Sequence, residues 1–452
     1  MKYRFNAETR ESHRRDAGSS RHPTQGHSAR LGAATRAGHA ACALLKALLS
    51  NYRGRAAIRL WDGQTLAANR HTTTFVVIRH PALVRRMVIN ADVLALAEAY
   101  LAGDIDVEGA IENAFDLVEF ISLHRLSTGQ RWRLAVQALR LPGSYRAGGV
   151  EAARAGKTMQ HNERRTIGHH YDVSNDFYRL WLDPEMVYSC AYFSDPTQSL
   201  EAAQRDKLDY LCRKLRLQPG QTLLDVGCGW GALPSWAARN YGVRAHGITL
   251  SEQQYHYARE RVAREGLQDR VKVELRDYRQ LSETPGYDRI VSVGMFEHVG
   301  IANFPRYFGT VRRLLKAGGL FLNHGIAQES RWQATPITRF VNRYVFPDGE
   351  LTRISDATAA MEDAGLEVLD VENLRPHYAL TLRHWVSRLE KAAAQARALT
   401  SETTYRVWRL YMAGSAYYFS LGSLRVYQVL TGLANASPPA VPLRRGDLYE
   451  GC

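Results

Sequence analysis

The residues of this chain with the most chemical content fall in a few short stretches. The first is Leu223-Leu224-Asp225-Val226-Gly227-Cys228-Gly229-Trp230-Gly231, an apolar strand pattern that runs into a glycine-rich turn, with helical periodicity from Ala232 to Arg239. Glycines let the backbone approach a ligand closely, and the helix that follows begins beside it. The spacing Gly-x-Gly-x-Gly is not the dinucleotide form, and no Lys-Ser/Thr pair follows for a triphosphate. The other stretches carry side chains able to act: Tyr188-Ser189-Cys190-Ala191-Tyr192-Phe193, Gly294-Met295-Phe296-Glu297-His298-Val299-Gly300, Asn323-His324-Gly325-Ile326 and Pro376-His377-Tyr378-Ala379-Leu380-Thr381. Each also has a structural reading. Cys190 suits a small buried hydrophobe, Glu297 and His298 a solvated loop, His324 a hydrogen-bonded core histidine, and Tyr378 simple packing.

Strands and helices must position these groups. Candidate strands lie at 222–226, 243–248, 271–275, 288–293, 318–323 and 367–371, with helices at 231–240, 251–265 and 303–315 and helix-like segments over about 171–215. Such alternation predicts a parallel sheet with helices on both faces. The ligand crevice of such a sheet lies outside the carboxyl ends of its strands, where Glu297 and His324 fall. The glycine turn then reads as the S-adenosylmethionine (SAM) turn of a Rossmann-like methyltransferase, with Gly227, Gly229 and Gly231 lining the methionine and ribose. After the second strand, Gly247-Ile248-Thr249-Leu250-Ser251 lacks the acid that binds ribose in most such folds. Ser251-x-x-Gln254 has the form of a helix capping box. Asp277 and Tyr278, after the third strand, are placed to meet the adenine, and Tyr188 and Ser189 to close over the methionine end. Upstream, residues 1–38 read as a basic disordered tail, 39–141 as a smaller α/β domain, 142–160 as a Gly/Pro-containing linker, 161–440 as the catalytic domain and 441–452 as a tail. In the smaller domain Thr73 to Ile78 reads as a strand. There too, the segment Gly103-Asp104-Ile105-Asp106-Val107-Glu108-Gly109 reads as a turn into another helix.

Together with His169-His170-Tyr171-Asp172-Val173-Ser174-Asn175, these stretches resemble the cyclopropane-fatty-acyl-phospholipid synthases and the related mycolic-acid cyclopropane synthases, over roughly residues 160–435. Ala-Glu-Ala-Tyr-Leu-Ala-Gly-Asp-Ile-Asp-Val-Glu-Gly (97–109) is similar to that family's auxiliary domain, and the resemblance implies that this domain helps hold the bilayer or a second subunit. The resemblance implies a class I SAM-dependent methyltransferase domain with a smaller N-terminal α/β domain. It implies that a cis alkene of a phospholipid acyl chain takes the SAM methyl, that a bound bicarbonate removes a proton from the resulting carbocation, and that a cyclopropane closes. Cys190, Glu297, His324, Tyr378 and the backbone at Ile326 would hold the bicarbonate, while Tyr171, Thr249 and Gln254 join the cofactor contacts. Tyr188, Tyr192 and Phe296 would offer π faces to the cation. The family also implies a homodimer. Some relatives carry a cysteine where this chain has Ser415, which fits a mechanism without a thiol step. A sister chemistry, loss of a different proton to give a methylene or methyl branch, stays open.

Composition bounds the setting. The 452 residues carry a formal net charge of +14, which favours polyanions, either nucleic acid or anionic membrane. No Asn-Pro-Pro-Tyr-type or Pro-Cys-type motif supports a nucleic-acid methyltransferase, and an intact set of anion-site residues speaks against a SAM sensor without activity. The 5 cysteines include no Cys-x-x-Cys pair, so neither a disulfide framework nor a metal site is expected, and reduced thiols in the cytosol are. No apolar run reaches the ~18 residues of a membrane span, and no signal-peptide core is evident. A cytoplasmic enzyme, peripheral on the inner face of the membrane, is the expectation.

Overall fold

The computed structural model describes residues 25–90, 93–122, 128–143, 173–282, 286–331, 333, 335–347, 349–434 and 441–449. The chain opens with helix α1 (Gln25–Leu48), then β1 (Ala56–Arg59), β2 (Thr65–Leu66), β3 (Thr74–Ile78), α2 (Pro81–Asn90), α3 (Val93–Leu101), β4 (Ile105–Glu108), α4 (Glu112–Ser122) and α5 (Thr128–Ala138). The four strands form one sheet in the order β2-β1-β3-β4, with β1 parallel to β3. Two expectations are corrected here. The segment read as a tail to residue 38 is helical from Gln25, because its Ala, Arg and Leu content propagates a helix anchored by buried Ala41, Leu44 and Leu45. Residues 105–108, read as entering a helix, form a strand, since Ile105 and Val107 alternate with Asp106 and Glu108. The predicted linker lies outside the described residues from position 144 onward.

The larger unit contains α6 (Asn175–Arg179), α7 (Leu200–Lys214), β5 (Thr222–Val226), α8 (Ala232–Tyr241), β6 (Arg244–Thr249), α9 (Glu252–Arg264), β7 (Val271–Leu275), β8 (Tyr287–Val293), α10 (Phe304–Leu314) and β9 (Leu315–Gln328). It continues with α11 (Pro336–Tyr344), α12 (Ile354–Asp363), β10 (Leu366–Asn373), α13 (Arg375–Lys391), α14 (Ala393–Leu399), α15 (Glu402–Leu421) and β11 (Leu424–Leu433). Its seven strands lie in the order β10-β11-β9-β8-β5-β6-β7. Strand β11 runs antiparallel to both neighbours, while β5 through β9 pair in parallel. The chain leaves β5 toward β6 on one side and returns to β8 on the other. The resulting switch point opens a crevice at the carboxyl ends of β5 and β8. All six predicted strands are present. The stretch 171–215 is helical only at its ends, because Tyr188 to Phe193 runs as irregular backbone between α6 and α7. Residues 441–449, read as a tail, are docked: Leu448 is buried, its carbonyl accepts from Arg213 at 2.6 Å, and Asp447 pairs with Arg216.

The two units share one apolar cluster, in which Phe340, Val345, Val407 and Ala413 of the larger unit pack among residues of α1 to α5. Arg409 pins the seam. Its guanidinium donates to Glu390 at 2.7 Å, to the Tyr100 hydroxyl at 3.1 Å and to the carbonyls of Val107 and Gly109 at 3.4 Å. A guanidinium is suited to this because its planar fork serves several acceptors at once. Arg409→Met should destabilise the protein by about 2–3 kcal/mol, since acceptors on both units lose a charged donor. Thermal melting measures this, and an unchanged midpoint would show that Arg409 does not hold the seam.

Candidate active site

Two helices fix the Tyr188-Ser189-Cys190 loop. On one side α7 supplies Gln204, whose amide donates to the Ser189 carbonyl at 3.0 Å, and Lys207, whose Nζ donates to Ser189 Oγ at 2.9 Å. On the other, α13 supplies Thr381 Oγ1 and His377 Nδ1, which accept from the amides of Ala191 and Phe193, each at 3.0 Å. Just upstream, both oxygens of buried Asp183 accept amides, from Glu185 and Val187, each at 3.0 Å. That turn holds Met186 at φ +56, an uncommon conformation for a side chain, on the wall of the cavity. An aromatic cluster backs Tyr188, with ring centroids of Trp385 at 5.2 Å, Trp181 at 5.4 Å and Tyr178 at 5.7 Å.

The crevice holds a first cavity lined by Tyr188, Ser189, Gly227, Gly229, Thr249, Gln254, Asp277 and Tyr278. Gly229 lies at φ +55, and a Cβ built there meets nothing within 4 Å. Its bare backbone faces open space, as a close ligand approach needs. Gly231 does not line the cavity. It starts α8 at φ +79, and a Cβ there would stand 3.0 Å from Ala258, so its role is helix packing. Tyr171 lies outside the described residues. The predicted capping box is half present. Ser251 accepts from the Gln254 amide at 3.4 Å, but Gln254 Oε1 accepts from Thr249 Oγ1 at 2.9 Å instead of reaching back to Ser251. Thr249 and Gln254 thus form one polar edge of the cavity. The Asp277 carboxylate is bound by Arg279, with Nη2 to Oδ2 at 2.6 Å, so its side chain also fixes its own turn.

A second chamber shares Tyr188, Ser189, Gly294 and His298 with the first. Cys190, Glu297, His324, Ile326 and Tyr378 all line it, from four separate places in the chain. Glu297 sits in the short turn after β8. Its Oε1 accepts the Ile326 amide at 2.6 Å, and its buried Oε2 has no partner among the described residues. Burial pushes its carboxyl up to about 7. His324 on β9 meets Gln428 of β11 through Nδ1 at 3.2 Å, while its buried Nε2 has no partner among the described residues. Burial holds its basicity well below the usual histidine range, with the nearby Lys207 charge adding to the effect. Cys190 is buried, and burial raises its thiol far above the ordinary range, so it is no thiolate. The Ile326 amide, expected to face a ligand, is engaged by Glu297, so what it positions is the carboxylate. Of the aromatics expected beside a cation, Tyr188 lines the chamber. Tyr192 instead stacks on Tyr210 at 4.4 Å, and Phe296 on Phe304 at 4.8 Å. The chamber's aromatic faces come from Tyr378, Tyr411, Phe346 and Phe419.

Residues 158–429 match the sequence profile of the family described as mycolic acid cyclopropane synthetase. The chain belongs to this family. Residues 44–121 match a second profile, a domain of unknown function. A probable fatty acid methyltransferase of Pseudomonas putida is 40% identical over 401 residues, covering 87% of this chain and 96% of that protein. The cyclopropane-fatty-acyl-phospholipid synthase of Escherichia coli K12 is 40% identical over 261 residues, or 58% of this chain and 66% of that one. Among solved structures, a mycolic acid cyclopropane synthase complexed with SAH and CTAB superposes with a TM-score of 0.57 at 37% identity, covering 60% of this chain and 99% of that one. As a member of this family the protein is an enzyme, a SAM-dependent methyltransferase of the class I fold.

Sequence reading alone passed over several residues of this synthetase-family site. Lys207 and Asp225 are buried in the lining of the first cavity, and Tyr411 of α15 lines the second beside Ser415. Asp225 stood within the glycine-turn motif and was available as a signal. Lys207 lies in an ordinary amphipathic helix pattern that gives no hint of its burial.

Proposed function

We propose that this enzyme transfers a methylene unit from SAM to the cis double bond of an unsaturated phospholipid acyl chain, closing a cyclopropane. The observation that carries the reading is a pair of buried polar atoms, Glu297 Oε2 and His324 Nε2, that have no partner among the described residues and belong to residues lining a chamber that adjoins the cofactor cavity. Buried polar atoms without partners are rare and call for an occupant. A bicarbonate fits this lining, since it both accepts and donates hydrogen bonds, and Cys190, Glu297, His324 and Tyr378 would hold it, with Ile326 fixing Glu297.

When bound, SAM supplies an electrophilic sulfonium methyl to which the alkene adds, releasing S-adenosylhomocysteine, and bicarbonate supplies a base for one proton of that methyl as the second C–C bond closes the ring. The protein does the rest. The apolar walls built by Leu382, Phe346, Phe419 and Val426 exclude the water that would quench a cation. The faces of Tyr188 and Tyr411 offer negative π density. Glu297, poised near 7, need not place a second full negative charge beside a bound anion at neutral pH. His324 is held neutral and keeps Nε2 available to the chamber.

A second reading has its own support, because the relative matched across both units is a probable fatty acid methyltransferase. In that case the same cation loses a different proton and leaves a methylene or methyl branch. We also place the enzyme on anionic membrane, since its charge of +14 suits docking there, while no helix among the described residues is long and apolar enough to cross a membrane. One experiment separates these readings: incubation with labelled SAM, bicarbonate and vesicles of oleoyl phosphatidylglycerol, the products read by mass spectrometry and proton NMR. Gain of one CH2 with upfield ring protons is expected, and activity that falls as salt screens the vesicle charge. Vinyl protons at the same mass would establish the branch-forming reaction, and salt-insensitive activity would remove the electrostatic docking.

A further inference from the structure

Between the N-terminal unit and α11 and α15 of the larger one lies a cavity of about 160 Å³ that nothing in the methyl-transfer reaction yet uses. Its walls come from the strands (Ile58, Val76, Ile105), from α3 (Leu94, Ala97) and from α4 (Val118). No charged side chain stands among the described residues that line it. The tyrosine hydroxyls at its edge are turned to partners: Tyr100 accepts from Arg409 at 3.1 Å, and Tyr418 donates to Glu119 at 2.8 Å. A charged or polar head group placed there would lose its water with nothing in return. A hydrocarbon would not.

This cavity and the catalytic chamber are neighbours through a common wall of Ile337, Val341, Tyr411, Ser415 and Leu424. Along this wall α15 carries the consecutive small residues Ala413, Gly414, Ser415 and Ala416. At Gly414 a Cβ would come within 2.9 Å of the Phe115 ring, so α4 lies directly against the helix there. Tyr411 and Ser415 line both spaces, whereas Tyr188 lines the chamber and not this cavity. An acyl chain with its double bond in the chamber must extend in both directions. One direction leads to this apolar space.

We propose that the N-terminal unit is the receptor for the methyl-terminal end of the acyl chain, which passes Ser415 and Tyr411 and ends in this cavity. The inference rests on the acyl-lipid reading above. A dry apolar cavity of ~150 Å³ holds a ring of about six carbons, so this one takes a terminal run of comparable size. The N-terminal unit therefore measures chain length beyond the double bond.

The direct test uses the unmodified enzyme. Oleoyl phosphatidylglycerol vesicles carrying a photoreactive group at the methyl end of the chain are irradiated with the enzyme, and the labelled peptides are mapped. Labelling of α3 and α4 is expected. Turnover of the lipid with no label on residues lining this cavity would overturn this inference alone, whereas no turnover of any unsaturated lipid would overturn the acyl reading with it. Ala97→Trp, which fills the cavity, gives the functional counterpart. Turnover of oleoyl lipid should fall by on the order of tenfold or more. Myristoleoyl lipid, with the same double-bond position and a shorter methyl-terminal end, should lose little. Equal loss on both lipids, with melting and SAM affinity intact, would refute the receptor role, and Val118→Phe repeats the comparison should Ala97→Trp not fold.

Discussion

Glu297→Gln is expected to lower turnover by on the order of a hundredfold or more, while SAM affinity stays within about a factor of three. Glu297 does not line the cofactor cavity, and its Oε1 accepts from the Ile326 amide at 2.6 Å. Glutamine preserves that contact through its carbonyl oxygen. What it removes is the ionisable Oε2 facing the chamber, where charge develops. Equal loss of SAM affinity and turnover would make Glu297 a structural residue. The same substitution has a stability signature. Burial raises the Glu297 carboxyl from 4.5 to about 7, so the folded state binds this proton more tightly than the unfolded chain does. The stabilisation from holding the proton is complete below pH 4.5 and is lost as pH rises through 7. Relative to Glu297→Gln, the native protein should therefore lose about 2–3 kcal/mol between pH 4 and 8. Melting curves of the pair across that range measure the gap, and a pH-independent gap would place an ordinary carboxyl at 297.

The residues able to do chemistry were legible from sequence because they cluster where strands end. Glu297 follows β8 and His324 lies within β9, and apolar runs mark both strands plainly. Strand β11 escaped notice because Leu424–Leu433 follows directly on the apolar helix α15, so the period changes without a long break. That omission hid the partner of His324, since Gln428 is its neighbour across the β9–β11 pairing. Gly231 was assigned to the cofactor by spacing, whereas its tight approach to Ala258 is a contact between α8 and α9 that no local pattern reveals. Similarly, Tyr192 and Phe296 sit one or two residues from chamber-lining positions. Sequence places them near the site, but only the fold decides which way each ring turns. The cavity beside the N-terminal unit is the least legible feature, because its described walls come from nine elements and two units.

Lys207→Met is expected to weaken SAM binding by on the order of thirtyfold, or ~2 kcal/mol. Lys207 is buried in the lining of the first cavity, bonded to Ser189 Oγ, with the charges of Asp183 and Asp225 nearby. Its ammonium lies beside Ser189, which lines the same cavity, and suits a carboxylate such as that of the methionine end of SAM. Burial lowers it from 10.5 to about 8 and raises Asp225 from 3.8 to about 7, each partly offset by the other's charge. Two effects of opposite sign follow above pH 8. SAM affinity should fall as the ammonium loses its proton. Stability should rise between pH 8 and 10.5, because there the unfolded chain binds this proton and the folded state has released it. A residue that only props the loop would show no such opposition. Measured as differences between native protein and Lys207→Met, SAM affinity by calorimetry and melting temperature should diverge with pH. Parallel changes, or SAM affinity independent of pH in the native protein, would reduce Lys207 to a buried donor for Ser189. Divergence would mean that the lining of the cofactor cavity is kept charged at the expense of the fold.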